Sequence, residues 1–117
     1  MKVPKHRTLV ERMCLARVKK LSARGPVLAA SLVRKGKRCG RPGCHCEHGE
    51  KHMGYYLTFK QDGKTKTVYV PLDMVEEVRG WIREHKRLKQ LSREISELSV
   101  ALVRTHVEDR RRRAGRR

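Results

Sequence analysis

The sequence predicts an α+β fold: an N-terminal helix, a small antiparallel β-sheet with a zinc turn, and a long C-terminal helix. Three observations predict it. Apolar residues recur at spacings of three and four over residues 8–21 and again from Met74 onward, the period of a helix with one buried face. Residues 55–70 alternate around Gln61-Asp62-Gly63, the pattern of a hairpin. Between the first helix and that hairpin, residues 38–56 hold three cysteines and three histidines in a Gly-rich stretch.

The first helix is expected over residues 8–21. Val10, Met13, Cys14, Val18 and Leu21 form its apolar face. Thr8 with Glu11 three residues on reads as a capping box, and Gly25-Pro26 reads as the stop. Cys14 on that face reads as a small buried hydrophobe. Residues 29–35, "AASLVRK", predict a short strand. In the hairpin, Tyr55, Leu57 and Phe59 share one face, which Val68 and Val70 join if the register allows. Tyr56, Thr58, Lys60, Thr65, Thr67 and Tyr69 take the other. Pro71 ends the second strand, and Asp73 with Glu76 reads as a second capping box.

The long helix starts at Met74 with a stripe of Val75, Val78, Ile82 and His85, followed by one of Leu91, Ile95, Leu98 and Leu102. Unbroken to residue 109 it would be roughly 54 Å long, more than so small a domain spans. The near stripe is expected to pack on the hairpin. The far stripe must fold back, pack on its own domain, or pair with a second chain as a short coiled-coil seam. The predicted divisions are an N-terminal helical segment, 1–28, a zinc-turn, hairpin and long-helix domain, 29–109, and a disordered basic tail, 110–117.

The totals explain why such a chain needs help to stay folded. Of 117 residues, 36% are charged and only 4% aromatic, and the net charge is +18. The core is therefore thin, and thin cores draw on a metal, a disulfide or a partner. Residues 1–50 carry 13 Lys/Arg against 3 Asp/Glu, residues 51–109 carry 11 against 9, and residues 110–117 carry six Arg and no acid. Charge of this size opposes compaction and favours a polyanion, nucleic acid before membrane. No secretory signal and no apolar run long enough for a bilayer is visible, so no membrane partner is expected and the cytoplasm is the expected compartment.

The cysteines admit three chemistries. A disulfide between Cys44 and Cys46 would be strained, pairing Cys39 with either leaves a thiol over, and the expected compartment reduces such bonds. A catalytic thiol needs one cysteine with an orienting acid, and neither that acid, a phosphate loop nor a paired-carboxylate motif stands at a recognisable offset; the chain reads as a non-enzyme. A structural Zn2+ explains the number, since zinc accepts Cys3His in a closed tetrahedral set. Cys39, Cys44 and Cys46 supply three thiolates. The fourth ligand is His45, His48 or His52; His52 is preferred because five residues of slack separate it from Cys46 and it abuts the hairpin. Gly40 and Gly43 let the chain turn, and Pro42 stiffens it. Structural zinc contributes roughly 10–16 kcal/mol in apparent terms, against about 5–15 kcal/mol of net stability for a typical domain.

The stretches "SLVRKGKRCGRPGCHC", "HMGYYLTFKQDGKTKTVYVP" and "VEEVRGWI" together resemble a family of uncharacterised small prokaryotic proteins, classed as a domain of unknown function. That family shares a CGxxxCxC turn, a His-Gly-Pro-Tyr segment, a Lys/Thr-rich hairpin and a long helix, and several members lie near transposase and other mobile-element genes. The resemblance covers about residues 31–100. It implies the same fold and marks Cys39, Cys44, Cys46 and His52 as the shared ligand set. This chain has Met53-Gly54 where the family usually has Gly-Pro.

The surface expectation follows from the charge. Arg34, Lys35, Lys37, Arg38 and Arg41 precede or enter the cysteine turn, Lys60, Lys64 and Lys66 lie on the hairpin, and Arg110, Arg111, Arg112 and Arg113 open the tail. Lys and Arg neutralise phosphates, and neighbouring hydroxyls bond them. Tyr56 and Tyr69 are placed to stack on unpaired bases, although cross-strand packing is their plainer role. The expectation is a zinc-stabilised nucleic-acid-binding module, DNA before RNA, serving a mobile element or a regulator. The alternative is a protein-interaction scaffold that dimerises through the long helix and does not bind nucleic acid directly.

Overall fold

The computed structural model describes residues 1–38, 40–43 and 49–115. The order of elements is α1 (Arg7–Lys19), β1 (Ser31–Lys37), β2 (His52–Gln61), β3 (Lys64–Val70) and, after a 3-10 turn over Leu72–Met74, α2 (Val75–Gly115). The expected α+β architecture is present: an N-terminal helix, a three-stranded antiparallel sheet in the order β1-β2-β3 and a long C-terminal helix. The chain divides into two compact units, one of Met1–Arg24 with Lys86–Arg117 and one of Gly25–His85. α2 contributes to both units.

In the second unit the hairpin is built as the alternation requires. Gln61 pairs with Lys64, so Asp62 and Gly63 alone make the turn, with φ of 53° and 77°. Two positive φ values in a two-residue loop match the right-handed twist of the strands, and Asp-Gly tolerates them. The register sets Tyr55 opposite Val70 and Leu57 opposite Val68, so the apolar residues do share a face. β2 begins three residues earlier than expected, and β1 spans Ser31–Lys37 in place of 29–35, because Arg34 to Lys37 pair with Tyr55 back to His52.

The core of this unit is Val70, Val75 and Val78, with Leu28, Leu32, Tyr55, Leu57, Met74, Trp81 and Ile82 packed on it. The start of α2 therefore covers one face of the sheet, as its near stripe predicts. The Leu28 N–H donates to the Trp81 carbonyl at 3.1 Å, tying the segment before β1 to α2. Arg79 lies 5.8 Å over the Tyr55 ring. The capping box expected at Asp73 and Glu76 is absent. Pro71 starts the 3-10 turn without a side-chain cap, the Met74 N–H donates to the Pro71 carbonyl, and Glu76 pairs with Arg79 at 3.1 Å. The 3-10 bond takes over the role a side chain plays in a capping box.

In the first unit α1 and the far half of α2 run antiparallel. Arg17 Nε donates to Glu94 Oε1 at 3.0 Å, and Arg87 donates to the carbonyls of Lys20 and Ser22, both at 2.8 Å. Val10 and Leu98 are fully buried, so the far stripe of α2 is satisfied at Leu98 within the chain. Cys14 is half-buried on α1. Two expectations about α1 are corrected. Its N-cap is His6 with no side-chain bond, and Glu11 is turned to Arg7 at 3.1 Å instead of back to Thr8. Its C-terminus is closed not by Gly25 but by a tightened last turn, in which the Lys20 and Leu21 N–H groups donate to the Arg17 and Val18 carbonyls, both at 3.1 Å; Arg87 holds the residues just past it.

Residues 110–113, expected in a disordered tail, continue α2. Arg is a good helix former, Asp109 reaches Arg112 at 3.6 Å, and cations in a last turn favour the helix dipole. No helix is long and apolar enough to cross a membrane among the described residues.

Candidate functional site

The register of the sheet sorts the predicted cations by face, because side chains alternate along each strand. β1 places Val33 opposite Tyr56, Lys35 opposite Gly54 and Lys37 opposite His52. β3 places Tyr69 opposite Tyr56, Thr67 opposite Thr58 and Thr65 opposite Lys60. One face therefore holds Lys35, Lys37, His52, Tyr56, Lys60 and Tyr69 among threonines. It is the face turned away from the valine core, and among the described residues no Asp or Glu stands on it.

At its centre Tyr56 is half-buried and surrounded. Lys37 Nζ lies 4.4 Å and Lys35 Nζ 5.3 Å from its ring centroid. Tyr69 meets it edge-on, with centroids 5.7 Å apart and planes at 63°, a favoured arrangement for two aromatic quadrupoles. Gly54 makes the room. A Cβ there would stand 3.3 Å from Tyr56 Cε2 and 3.5 Å from Tyr69 Cε2. Tyr56 thus leans along its own strand over a position that carries no side chain, with its π face turned to the two ammonium groups. Tyr69 is 60% exposed and presents the free aromatic surface of the pair.

The predicted set is split by this arrangement. Lys35, Lys37, Lys60, Tyr56 and Tyr69 come together. Arg34 pairs with Tyr55, Lys66 with Phe59 and Lys64 with Gln61, which puts those three cations on the opposite face. Arg38 and Arg41 are exposed in the connection after β1. Arg110 to Arg113 belong to the other unit, on α2. Sequence reasoning missed Gly54 as part of the site. Its signal was available: a glycine inside a strand marks a place where something approaches the backbone closely.

The expected metal ligands Cys39, Cys44 and Cys46 lie outside the described residues, as do His45 and His48. His52 is described. It is exposed and sits on the last rung of the β1–β2 ladder, opposite Lys37. The connection between the strands thus leaves and returns at one rung, and Cys39 follows Lys37 by two residues. Gly40 and Gly43 both have left-handed φ, 75° and 77°, as the turning role assigned to them requires. A soft Cys3His donor set suits zinc. Zinc bound there would hold the two strand ends together and add no open position for water. Among the described residues alone, no three His, Cys, Asp or Glu side chains gather around one point.

No curated protein and no solved structure matches the chain. A family described as "Domain of unknown function (DUF6788)" matches residues 9–80, which run from α1 through the whole sheet to the start of α2. With well over half of its length inside that match, the chain belongs to the DUF6788 family.

Proposed function

We propose that this protein is a zinc-stabilised nucleic-acid-binding module whose contact surface is the open face of the sheet. The observation that carries the reading is the grouping of Lys35, Lys37 and Lys60 with Tyr56 and Tyr69 on a face whose described residues include no acid, opposite the face covered by the start of α2. Three ammonium groups meet phosphates, Thr58, Thr65 and Thr67 offer hydroxyls to the same oxygens, and Tyr69 offers a π surface to an unpaired base. DNA stands before RNA as the polymer, and a mobile-element or regulatory setting is the context the family resemblance supplies. Zinc held by Cys39, Cys44, Cys46 and His52 is the proposed staple. No catalytic role is assigned.

The test is titration of labelled single-stranded and duplex oligonucleotides at 50 and 200 mM salt. Three neutralised phosphates give a log–log slope of about −2 on single strands and about −3 on duplex, a loss of roughly 20- to 40-fold over that range. Lys37→Ala is expected to weaken binding and to flatten the slope by about one. Affinity that is indifferent to salt and to Lys37→Ala overturns the reading.

One observation favours a second reading, a scaffold that self-associates. On α2, Val100, Val103 and Val107 are 46%, 65% and 41% exposed, and Leu15 on α1 is 59% exposed. The three valines share a helical face distinct from Leu98. A dimer through that face predicts that Val103→Glu lowers the mass measured by light scattering; an unchanged monomer mass in the wild type removes it.

A further inference from the structure

The stripe of α2 that faces α1 changes character along its length. Leu98 is buried and apolar, and Thr105 is buried with its hydroxyl on the Leu102 carbonyl at 3.0 Å. Beyond Thr105, His106, Asp109, Arg110 and Arg113 stand at spacings of three, one and three that keep one face, beside the Leu98–Thr105 line and not on it. These four residues and Arg7, the first residue of α1, line a cavity of about 180 Å³. Arg7, His106, Arg110 and Arg113 are exposed and Asp109 is half-buried, so the cavity is open to solvent.

We propose that this cavity binds a phosphate-type anion. Three guanidinium groups line it against one carboxylate, and that carboxylate also reaches Arg112, outside the lining, at 3.6 Å. Among the described residues neither Arg110 nor Arg113 forms an ion pair. Arg7 is held in place on two sides: its Nε donates to Glu11 Oε1 at 3.1 Å, and its Nη1 lies 3.4 Å from His106 Nδ1. Arginine only donates, so in that contact Nδ1 is the acceptor. The first turn of α1 contains no acid and its N-cap makes no side-chain bond, which leaves a partial positive charge at that terminus. The C-terminal end of α2 contributes about half a negative charge, and the guanidinium groups outweigh it. Guanidinium forks match phosphate oxygens in pairs, and the volume holds one or two phosphate groups. The phosphate is either free, as inorganic phosphate or pyrophosphate, or part of a nucleic-acid backbone. The inference stands without the sheet face, which lies in the other unit.

The experiment is calorimetric titration of the full chain with pyrophosphate at low salt, for the wild type, Arg110→Gln/Arg113→Gln and Arg104→Gln/Arg111→Gln. Both double variants lose the same charge, but only the first removes residues of the cavity; circular dichroism reports that α1 and α2 persist. Saturable binding that falls at least tenfold in the first variant and less than twofold in the second supports the site. Equal losses in both, or no saturable binding by the wild type, overturn it. Competition with a labelled oligonucleotide separates the sources. Displacement by pyrophosphate places a backbone phosphate in the cavity. Pyrophosphate binding without displacement leaves the free anion as the ligand. Pyrophosphate binding by a chain that ignores oligonucleotides upholds the cavity and removes the sheet reading.

Discussion

At residue scale, the environment of Tyr56 depends on what Gly54 lacks. A methyl group at residue 54 would meet Tyr56 Cε2 at 3.3 Å and its hydroxyl oxygen at 3.4 Å, closer than ordinary packing. Gly54→Ala is therefore expected to swing the Tyr56 ring away from Lys37, which now lies 4.4 Å from the centroid. Proton NMR reads this as loss of the upfield ring-current shift on the Lys37 side-chain methylenes, with the backbone shifts of β3 retained. A Lys37 signal that does not move counts against the arrangement. The tyrosine face itself was legible: alternation alone placed Tyr56, Thr58, Lys60, Thr65, Thr67 and Tyr69 together. Arg34, Lys64 and Lys66 were grouped with these cations by segment, and the register puts them on the other face. For β1 even parity was beyond reach, because its register is set by a long connection and not by a turn.

At the scale of elements, the two helices of the first unit meet across one half-buried ion pair. The side chains of Arg17 and Glu94 are 22% and 20% exposed, between the surface regime, worth about 0–1 kcal/mol, and the buried one, where loss of one partner costs about 3–5 kcal/mol. Glu94→Leu alone is expected to destabilise by about 1–2 kcal/mol in urea denaturation, because Arg17 keeps its charge at a partly dry contact. Arg17→Met with Glu94→Leu is expected to restore most of that loss, and a double variant weaker than the single one contradicts the account. Leu98→Ala, at a fully buried site, is expected to cost about 2–5 kcal/mol in the same assay. The helices were legible from their stripes; their ends were not. Both capping boxes matched the sequence pattern, yet Glu11 and Glu76 each pair with an arginine, and local patterns do not reveal which cation competes for a carboxylate. Arg87, which holds the segment that follows α1, lies 65 and 67 residues from the carbonyls it serves, beyond any local pattern.

For the whole molecule, the balance lies between a net charge of +18 and few buried apolar side chains. Only Val10, Val70, Val75, Val78 and Leu98 are buried hydrophobics among the described residues. A core that small leaves little to set against self-repulsion, so the proposed zinc carries a large share. Chelation in reducing buffer is expected to abolish cooperative unfolding of the sheet unit and to release one zinc per chain, measured by thermal circular dichroism alongside metal analysis. A chain that melts cooperatively without stoichiometric zinc contradicts the proposal. The smallness of the core was legible from composition. The partner of the far stripe was not, since a periodic seam looks the same whether α1 or a second chain covers it.

The two ladders of the sheet also differ in how they close. β2 and β3 are joined by two residues, whereas β1 and β2 are joined by the fourteen that separate Lys37 from His52. Bringing together the ends of such a connection costs about 2 kcal/mol of chain entropy, while a short hairpin zips in microseconds. The meander is thus expected to assemble in sequence, with β1 the last strand to dock and the first to peel away. Lys35 and Lys37 travel with that strand, so Tyr56 acquires its two ammonium neighbours only in the final step of folding.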